Sequence, residues 1–356
     1  MPPTPKRRAY ATLITRASYL AGVVILAETL RKHQAAYPLI VLYTATLLPA
    51  AVRALELESP RSNLILHQCH PLIPPSDAKP AALIAERFAD TWTKLRVFEL
   101  FGYDAVCYLD ADMAALGNVD AVFENLRRLP DGWLVANHVC VCNLDRDPWA
   151  PEDWRPANCA YTPLSHPAAL SDPTQPVPGS PGTHHLMNGG MFLFRPNKAL
   201  WEAMMEFFQN TPLLPTFKFP DQDFLAHFFA GRWRAVGWQY NALKTMRYWH
   251  PNIWRDDEVV CLHYVVDKPW TQRVGRDGVA GYRGCDGVTH GWWWDAYAAW
   301  ERDRMSMPGG GCEVVSLVRK GVAAPLGEVH GWADVGRDSD MNAIGVGVQA
   351  FANNKA

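Results

Sequence analysis

The chain has little excess charge of either sign. Its 34 lysines and arginines against 36 aspartates and glutamates leave a formal net charge of −2, which gives no electrostatic basis for binding nucleic acid. The basic cluster Lys6-Arg7-Arg8 reads as a solvated terminus. Long hydrophobic runs are also missing. The longest early apolar stretch, Leu20 to Leu26, is far short of the roughly 20 residues a membrane span needs. The polar, proline-rich start Met-Pro-Pro-Thr-Pro does not resemble a secretion signal, so a cytoplasmic protein without a membrane span is expected. Eight cysteines in 356 residues are too few for a disulfide scaffold, and Cys107 and Cys261, set inside apolar runs, read as buried small hydrophobes. His138, Cys140, Cys142 and Cys159 suggest a zinc set, but their spacing matches no standard ligand pattern, so no structural metal is expected there. No internal repeat is visible.

Apolar content is abundant, at 49%, enough for one large domain or two small ones. Periodicity predicts a strand over 9–15, a helix over 19–33 ending in Arg31-Lys32-His33, and a strand over 38–44, which together form a right-handed β-α-β unit. A short strand at 64–66, a proline-rich loop over 71–80 and a helix over 88–101 follow. Later segments predict helices over 199–209 and 221–230, and strands over 235–241 and 258–264. Residues 137–186 change to proline, cysteine, serine and tryptophan without periodicity, a stretch longer than an ordinary connection. From residue 306 a Gly-Ala-Val mixture predicts a poorly ordered C-terminal extension to residue 356. Trp292-Trp293-Trp294 reads as packing rather than as a carbohydrate platform.

The strongest chemical signal is Asp110-Ala111-Asp112 at the end of the apolar run Ala105-Val106-Cys107-Tyr108-Leu109. Carboxylates two residues apart on an extended segment leave it on the same side, where one divalent cation can take an oxygen from each. In open α/β sheets ligands sit beyond the carboxyl ends of strands. Alone, the pattern is a weak signal and is more often that of a solvated turn. Three further features add to it: the glycine-rich MNGGMFLF from Met187, the acidic and amide cluster Asp221-Gln222-Asp223 opening a helical pattern, and a third apolar run ending in His263, with Lys268 shortly after. Carboxylates and an imidazole together suit a cation of intermediate softness.

Six ordered blocks then resemble the family-eight retaining glycosyltransferases, the galactinol synthases more than the glycogenins. They are AYATLITRASYLAGVVILAETLRKHQAAYPLIVLYT from Ala9, TKLRVFELFGYDAVCYLDADMAALGNVDAVFE from Thr93, MNGGMFLFRP, TPLLPTFKFPDQDFLAHFF from Thr211, YNALKTMRYWHPNIW from Tyr240 and HYVVDKPW from His263. The resemblance implies an α/β fold of the GT-A nucleotide-sugar type, Rossmann-like, with a mixed, mostly parallel central sheet. It implies a single domain over 1–305 in which 137–186 is a variable, acceptor-side segment. It also implies transfer of galactose or glucose from a UDP-sugar donor to a small polyol or other carbohydrate acceptor, with a homo-oligomer left open.

By the same resemblance Asp110, Asp112 and His263 bind Mn²⁺, with Ala111 between the carboxylates, and Lys268 approaches the diphosphate. Lys94 corresponds to a lysine near the donor, although a surface helix lysine is the alternative. Leu13, Thr15 and Tyr19 match nucleoside-binding positions, Tyr19 by stacking on uracil, while Arg16 replaces the glycogenins' asparagine. Asn188, Gly189, Asp221 and Gln222 match residues around the sugar. Val265-Val266-Asp267 stands where relatives carry a glycine-containing turn, which puts a backbone contact to phosphate in doubt. Front-face departure with Asp221 and Gln222 positioning the sugar is expected over a covalent intermediate. The alternatives are glycogenin-like self-glucosylation and a non-catalytic sugar-nucleotide-binding protein.

Overall fold

A computed structural model describes residues 7–75 and 86–324, with backbone alone for 86–90. β1 (Arg8–Ile14), α1 (Leu20–Lys32), β2 (Leu39–Thr44), α2 (Pro49–Glu58) and β3 (Leu64–Cys69) open the chain. α1 is buried from Leu20 through Leu30, so it is apolar nearly all round, as a helix enclosed between layers must be. Arg31 and Lys32 in its last turn complement the helix dipole. A 3₁₀-wound stretch (Glu86–Glu99) leads to β4 (Ala105–Leu109), β5 (Met113–Ala115), β6 (Leu134–His138) and β7 (Met187–Phe194). α3 (Lys198–Asn210), α4 (Pro220–Phe228), β8 (Trp233–Ala235), β9 (Ala242–Leu243), α5 (Met246–Trp249), β10 (Cys261–His263), α6 (Gly287–Met305) and α7 (Gly311–Arg319) complete it.

Seven strands form the central sheet in the order β3-β2-β1-β4-β7-β6-β8. Pairing is parallel except where β7 runs antiparallel to both β4 and β6. Because β7 is reversed, its first residues, Asn188 to Gly190, lie at the carboxyl end of β4, and the Asp110 N–H donates to the Gly190 carbonyl at 2.8 Å. A small second sheet, β5-β10-β9, pairs His263 with Met113, which sets the imidazole next to Asp112. Strand register thus brings three sequence-distant motifs together.

Several expectations are corrected. The strand expected over 235–241 is only β8; the chain then turns at Gly237, where a Cβ would meet the Leu170 carbonyl oxygen at 2.4 Å, and continues as a 3₁₀ turn over Trp238–Asn241. β6 stands partly where an irregular segment was expected, because all five of its residues are buried and it has no alternation to read. The poorly ordered extension expected from residue 306 does not hold for α7, whose Val314, Val315 and Val318 are buried in the main core. Residues 325–356 and the end of the 71–80 loop lie outside the described residues. Trp293 and Trp294 are buried in α6 beside Trp270 and Tyr297, in keeping with a packing role.

α6 is tied to α1 and α2 by charge as well as packing. The buried Arg304 guanidinium donates to Glu58 through Nε at 3.1 and 3.2 Å, and through Nη2 to Glu28 at 2.9 Å and the Ser62 hydroxyl at 3.0 Å. Removing one partner of a buried ion pair leaves an uncompensated charge and costs about 3–5 kcal/mol. Arg304→Met is therefore expected to lower stability by about that amount in urea unfolding. An unchanged unfolding midpoint would show that the carboxylates are otherwise satisfied.

Candidate active site

All thirteen positions singled out from the sequence line one cavity of about 480 Å³: Leu13, Thr15, Tyr19, Lys94, Asp110, Ala111, Asp112, Asn188, Gly189, Asp221, Gln222, His263 and Lys268. β1 supplies Leu13, and the turn into α1 supplies Thr15 and Tyr19, whose ring meets Trp270 edge-on at 5.7 Å. α1 approaches the carboxylate turn closely because residue 22 is glycine; a Cβ there would lie 2.3 Å from the Ala111 carbonyl oxygen.

At the cavity floor, Asp110, Asp112 and His263 each offer one atom within 4.8 Å of the others. His263 Nε2 faces Asp112 Oδ1 at 3.4 Å and Asp110 Oδ2 at 3.9 Å. Its tautomer follows from a relay anchored on the backbone. The Gly190 N–H can only donate, so Asn188 Oδ1 accepts it at 3.0 Å. Asn241 Nδ2 donates to that same oxygen at 2.9 Å, which turns Asn241 Oδ1 toward His263 Nδ1, also at 2.9 Å. Nδ1 must therefore carry the proton, and Nε2 converges on two carboxylates. Two carboxylate oxygens and a ring nitrogen without a proton then face one point, a donor set that a cation can fill. Metal-ligating histidines usually have the far ring nitrogen held by a hydrogen-bond partner, as Asn241 holds His263 here, so the residues present fit a divalent metal.

Two buried lysines surround this trio. Lys94 Nζ lies 2.9 Å from Asp110 Oδ1, 2.5 Å from Asp221 Oδ2 and 3.2 Å from the Gly189 carbonyl. Burial works against its charge, but Asp110 and Asp221 outweigh it and hold the ammonium above the ordinary lysine range. The surface alternative for Lys94 thus does not apply. Lys268 Nζ donates to Asp112 Oδ2 and, at 2.9 Å, to the Tyr264 carbonyl. Burial would raise the Asp112 pKa, yet Lys268 and then His263 hold it well below the usual carboxylate range. A site with this many fixed charges suits a ligand that is itself strongly charged.

Asp221 and Gln222 occupy the first turn of α4, and Gln222 Oε1 accepts the Gly189 N–H at 3.2 Å. Val266, in the turn between His263 and Lys268, takes φ 71°. A β-branched residue rarely adopts this left-handed conformation, so the turn carries backbone strain. Asp267, Asp286 and His290 form a neighbouring acidic group whose cation is the Lys244 ammonium, at 2.6 Å from Asp267 Oδ1 and 2.8 Å from Asp286 Oδ2.

Sequence reasoning missed Gly190, Asn241 and Lys244. Gly190 is needed because a Cβ there would meet His263 Cε1 at 2.1 Å and Nδ1 at 2.5 Å. Asn241 was within a recognised block, but nothing local marks it as the imidazole's partner. The irregular segment does reach the cavity, contributing Asn143, Asp145, Asp147, Trp149 and Trp154. Trp149, Trp154 and Phe219 form an aromatic cluster there, with ring centroids 5.6–6.4 Å apart.

Among the described residues no helix is long and apolar enough to cross a membrane. The family model described as "Glycosyl transferase family 8" matches residues 171–273. Galactinol synthase 7 of Arabidopsis thaliana is 32% identical over 276 residues, 75% of each chain. Galactinol synthase 1 of the same plant is 30% identical over 270 residues, covering 74% of this chain and 71% of that one. Among solved structures, the galactosyltransferase LgtC in complex with donor and acceptor sugar analogs superposes with a TM-score of 0.54 at 17% identity, over 82% of this chain and 95% of that one. The mixed, mostly parallel seven-stranded sheet is the GT-A fold of these neighbours. The chain belongs to glycosyltransferase family 8 and is a hexosyltransferase.

Proposed function

We propose that the protein transfers galactose or glucose from a UDP-sugar to a small polyol, myo-inositol being the first candidate, with retention at the anomeric carbon. The observation that carries this reading is the convergence of Asp110, Asp112 and the oriented His263 Nε2, flanked by Lys94 and Lys268, on the floor of a cavity large enough for a nucleotide sugar. Asp110, Asp112 and His263 would hold the divalent cation, and their mixed oxygen and nitrogen donors suit Mn²⁺. When bound, such a cation supplies Lewis-acid stabilisation to the departing diphosphate. Lys268 adds a point charge on the same side, useful as charge accumulates on the leaving oxygens.

The ion pair of Asp221 with Lys94, at 2.5 Å, speaks against a covalent intermediate, because a carboxylate neutralised by an ammonium is a poor nucleophile. Asp221 and Gln222 instead hold the sugar. The acceptor oxygen bonds to the anomeric carbon from the face that the diphosphate leaves, the carbon–oxygen bond to phosphate breaks, and the acceptor proton passes to the leaving phosphate oxygen. The acceptor class is supported by the relatives named galactinol synthases and by a wall carrying Asn143, Asp145 and Asp147 beside an aromatic cluster, groups that bind hydroxyls and cover sugar-like faces. Tyr19 and the first-strand residues Leu13 and Thr15 are assigned to the nucleoside.

Intact-mass spectrometry before and after incubation with UDP-hexose and Mn²⁺ tests the acceptor class. The mass should stay unchanged with donor alone, and a hexosyl product should form once an inositol is added. A ladder of hexose additions on the protein itself would establish self-glucosylation instead.

A further inference from the structure

Away from the catalytic trio, a second group of ligand-type side chains closes on itself. Cys140 and Cys142 follow β6, Cys159 follows the 3₁₀ turn at Pro156–Asn158, and His250 caps the end of α5. His250 Nε2 lies 3.2 Å from Cys140 Sγ, 3.3 Å from Cys142 Sγ and 3.7 Å from Cys159 Sγ, and all four atoms are within 4.8 Å of one another. Ligands at zinc–sulfur and zinc–nitrogen bond lengths around a tetrahedral ion stand roughly 3.5–3.8 Å apart. The observed spacing is close to that. All eight cysteines are free thiols, so the sulfurs are not together because of a disulfide. The four residues are buried, with His250 2% and Cys159 1% exposed.

We infer that Cys140, Cys142, Cys159 and His250 form a structural zinc site, independent of the cation site at Asp110, Asp112 and His263. Three sulfurs and one imidazole make a soft donor set that selects zinc over Mn²⁺ or Mg²⁺. Four protein ligands close the coordination sphere, the mark of a structural rather than a catalytic zinc. The ligands come from three separate segments, so the metal clips the irregular stretch after β6 to the end of α5. Those segments also furnish a wall of the active-site cavity, through Asn143, Asp145 and Asp147 on one side and Tyr248 and Trp249 on the other. The site thereby fixes the shape of the proposed acceptor side, where the loop's backbone hydrogen bonds are mostly within local turns and a long loop would otherwise be costly to order.

His138, the histidine nearest the cysteines in sequence, is not a ligand. Its Nε2 is 2.7 Å from the Thr174 carbonyl, and burial pushes its pKa down to about 4.

The test is the metal content of the full chain, purified without a polyhistidine tag from zinc-supplemented medium and dialysed against EDTA. Mass-spectrometric elemental analysis should find stoichiometric zinc in the wild type and in Cys285→Ser, which changes an exposed cysteine outside the group. Cys159→Ser should lose most of it. A mercurial thiol reagent should release the metal from the wild type into a colorimetric indicator. Should Cys159→Ser fail to fold, cobalt replacement in the wild type keeps the inference testable, since tetrahedral thiolate ligation gives strong sulfur-to-cobalt charge-transfer and visible bands. Wild-type protein free of zinc, zinc retained undiminished in folded Cys159→Ser, octahedral cobalt spectra, or a native Cys140–Cys159 disulfide would each overturn it. None of these readouts depends on the transfer reaction.

Discussion

Asp112→Asn should lower kcat/KM at least a hundredfold, about 2.7 kcal/mol of transition-state stabilisation. The substitution keeps the side chain's shape and alters two things at once. It removes one of the two carboxylates that face His263 Nε2, and it takes from Lys268 the anion that fixes its ammonium. Both groups are assigned to the charge that builds on the leaving diphosphate, so the loss falls on catalysis. Asp112 and Lys268 are both buried, so the substitution also leaves an ammonium short of its partner, and the thermal midpoint should fall as well; the rate is compared at a temperature where both proteins are folded. Steady-state kinetics across a panel of Mn²⁺ concentrations would check this. Near-wild-type activity at saturating metal would remove Asp112 from the ligand set.

Gly190→Ala should be nearly as damaging, for a steric reason. The added methyl would fall 2.1 Å from His263 Cε1 and 2.9 Å from Asn188 Oδ1, so both the imidazole and its tautomer-setting relay must move. Neither neighbour is the free end of a flexible chain: His263 is held through Nδ1 by Asn241, and Asn188 by the Gly190 N–H itself. A displacement near 1 Å in a catalytic constellation costs about a hundredfold in rate. Gly189→Ala is the comparison, since its Cβ would lie 3.1 Å from Asp221 Oδ2 and 3.4 Å from Gln222 Cβ, distances that small shifts can relieve. Kinetics and apparent Mn²⁺ affinity of the two variants should separate: affinity falls for Gly190→Ala and holds for Gly189→Ala. Equal affinities would mean that His263 is not a ligand.

The motifs were legible because each borders an apolar run, and strand ends are where open sheets place chemistry. Asp110, Asp112, His263 and, of the two glycines after Met187, Gly189 could be picked out this way, and register then brings them together. What could not be read depended on partners distant in sequence. His250 meets the cysteines across 91–110 residues, while His138 beside them offered a false candidate. Val266 hid a left-handed turn because a β-branched side chain argues against one. β6 and α6 lacked a periodic signal, the first because it is buried on both faces and the second because its large aromatics lie on more than one face. α7 was hidden behind Pro308-Gly309-Gly310, which reads as a break yet only redirects the chain.

Cation-assisted hexosyl transfer from a uridine diphosphate donor is the reaction proposed for Asp110, Asp112 and His263. Its most direct measurement is product formation from a panel of UDP-sugars with free sugars and inositols as acceptors, on protein stripped by chelator and then resupplied with Mn²⁺. No transfer is expected in chelator, with recovery on adding Mn²⁺ and equal amounts of UDP and retained-configuration product. Full transfer in excess chelator, or none from any UDP-hexose with Mn²⁺ present, would contradict it.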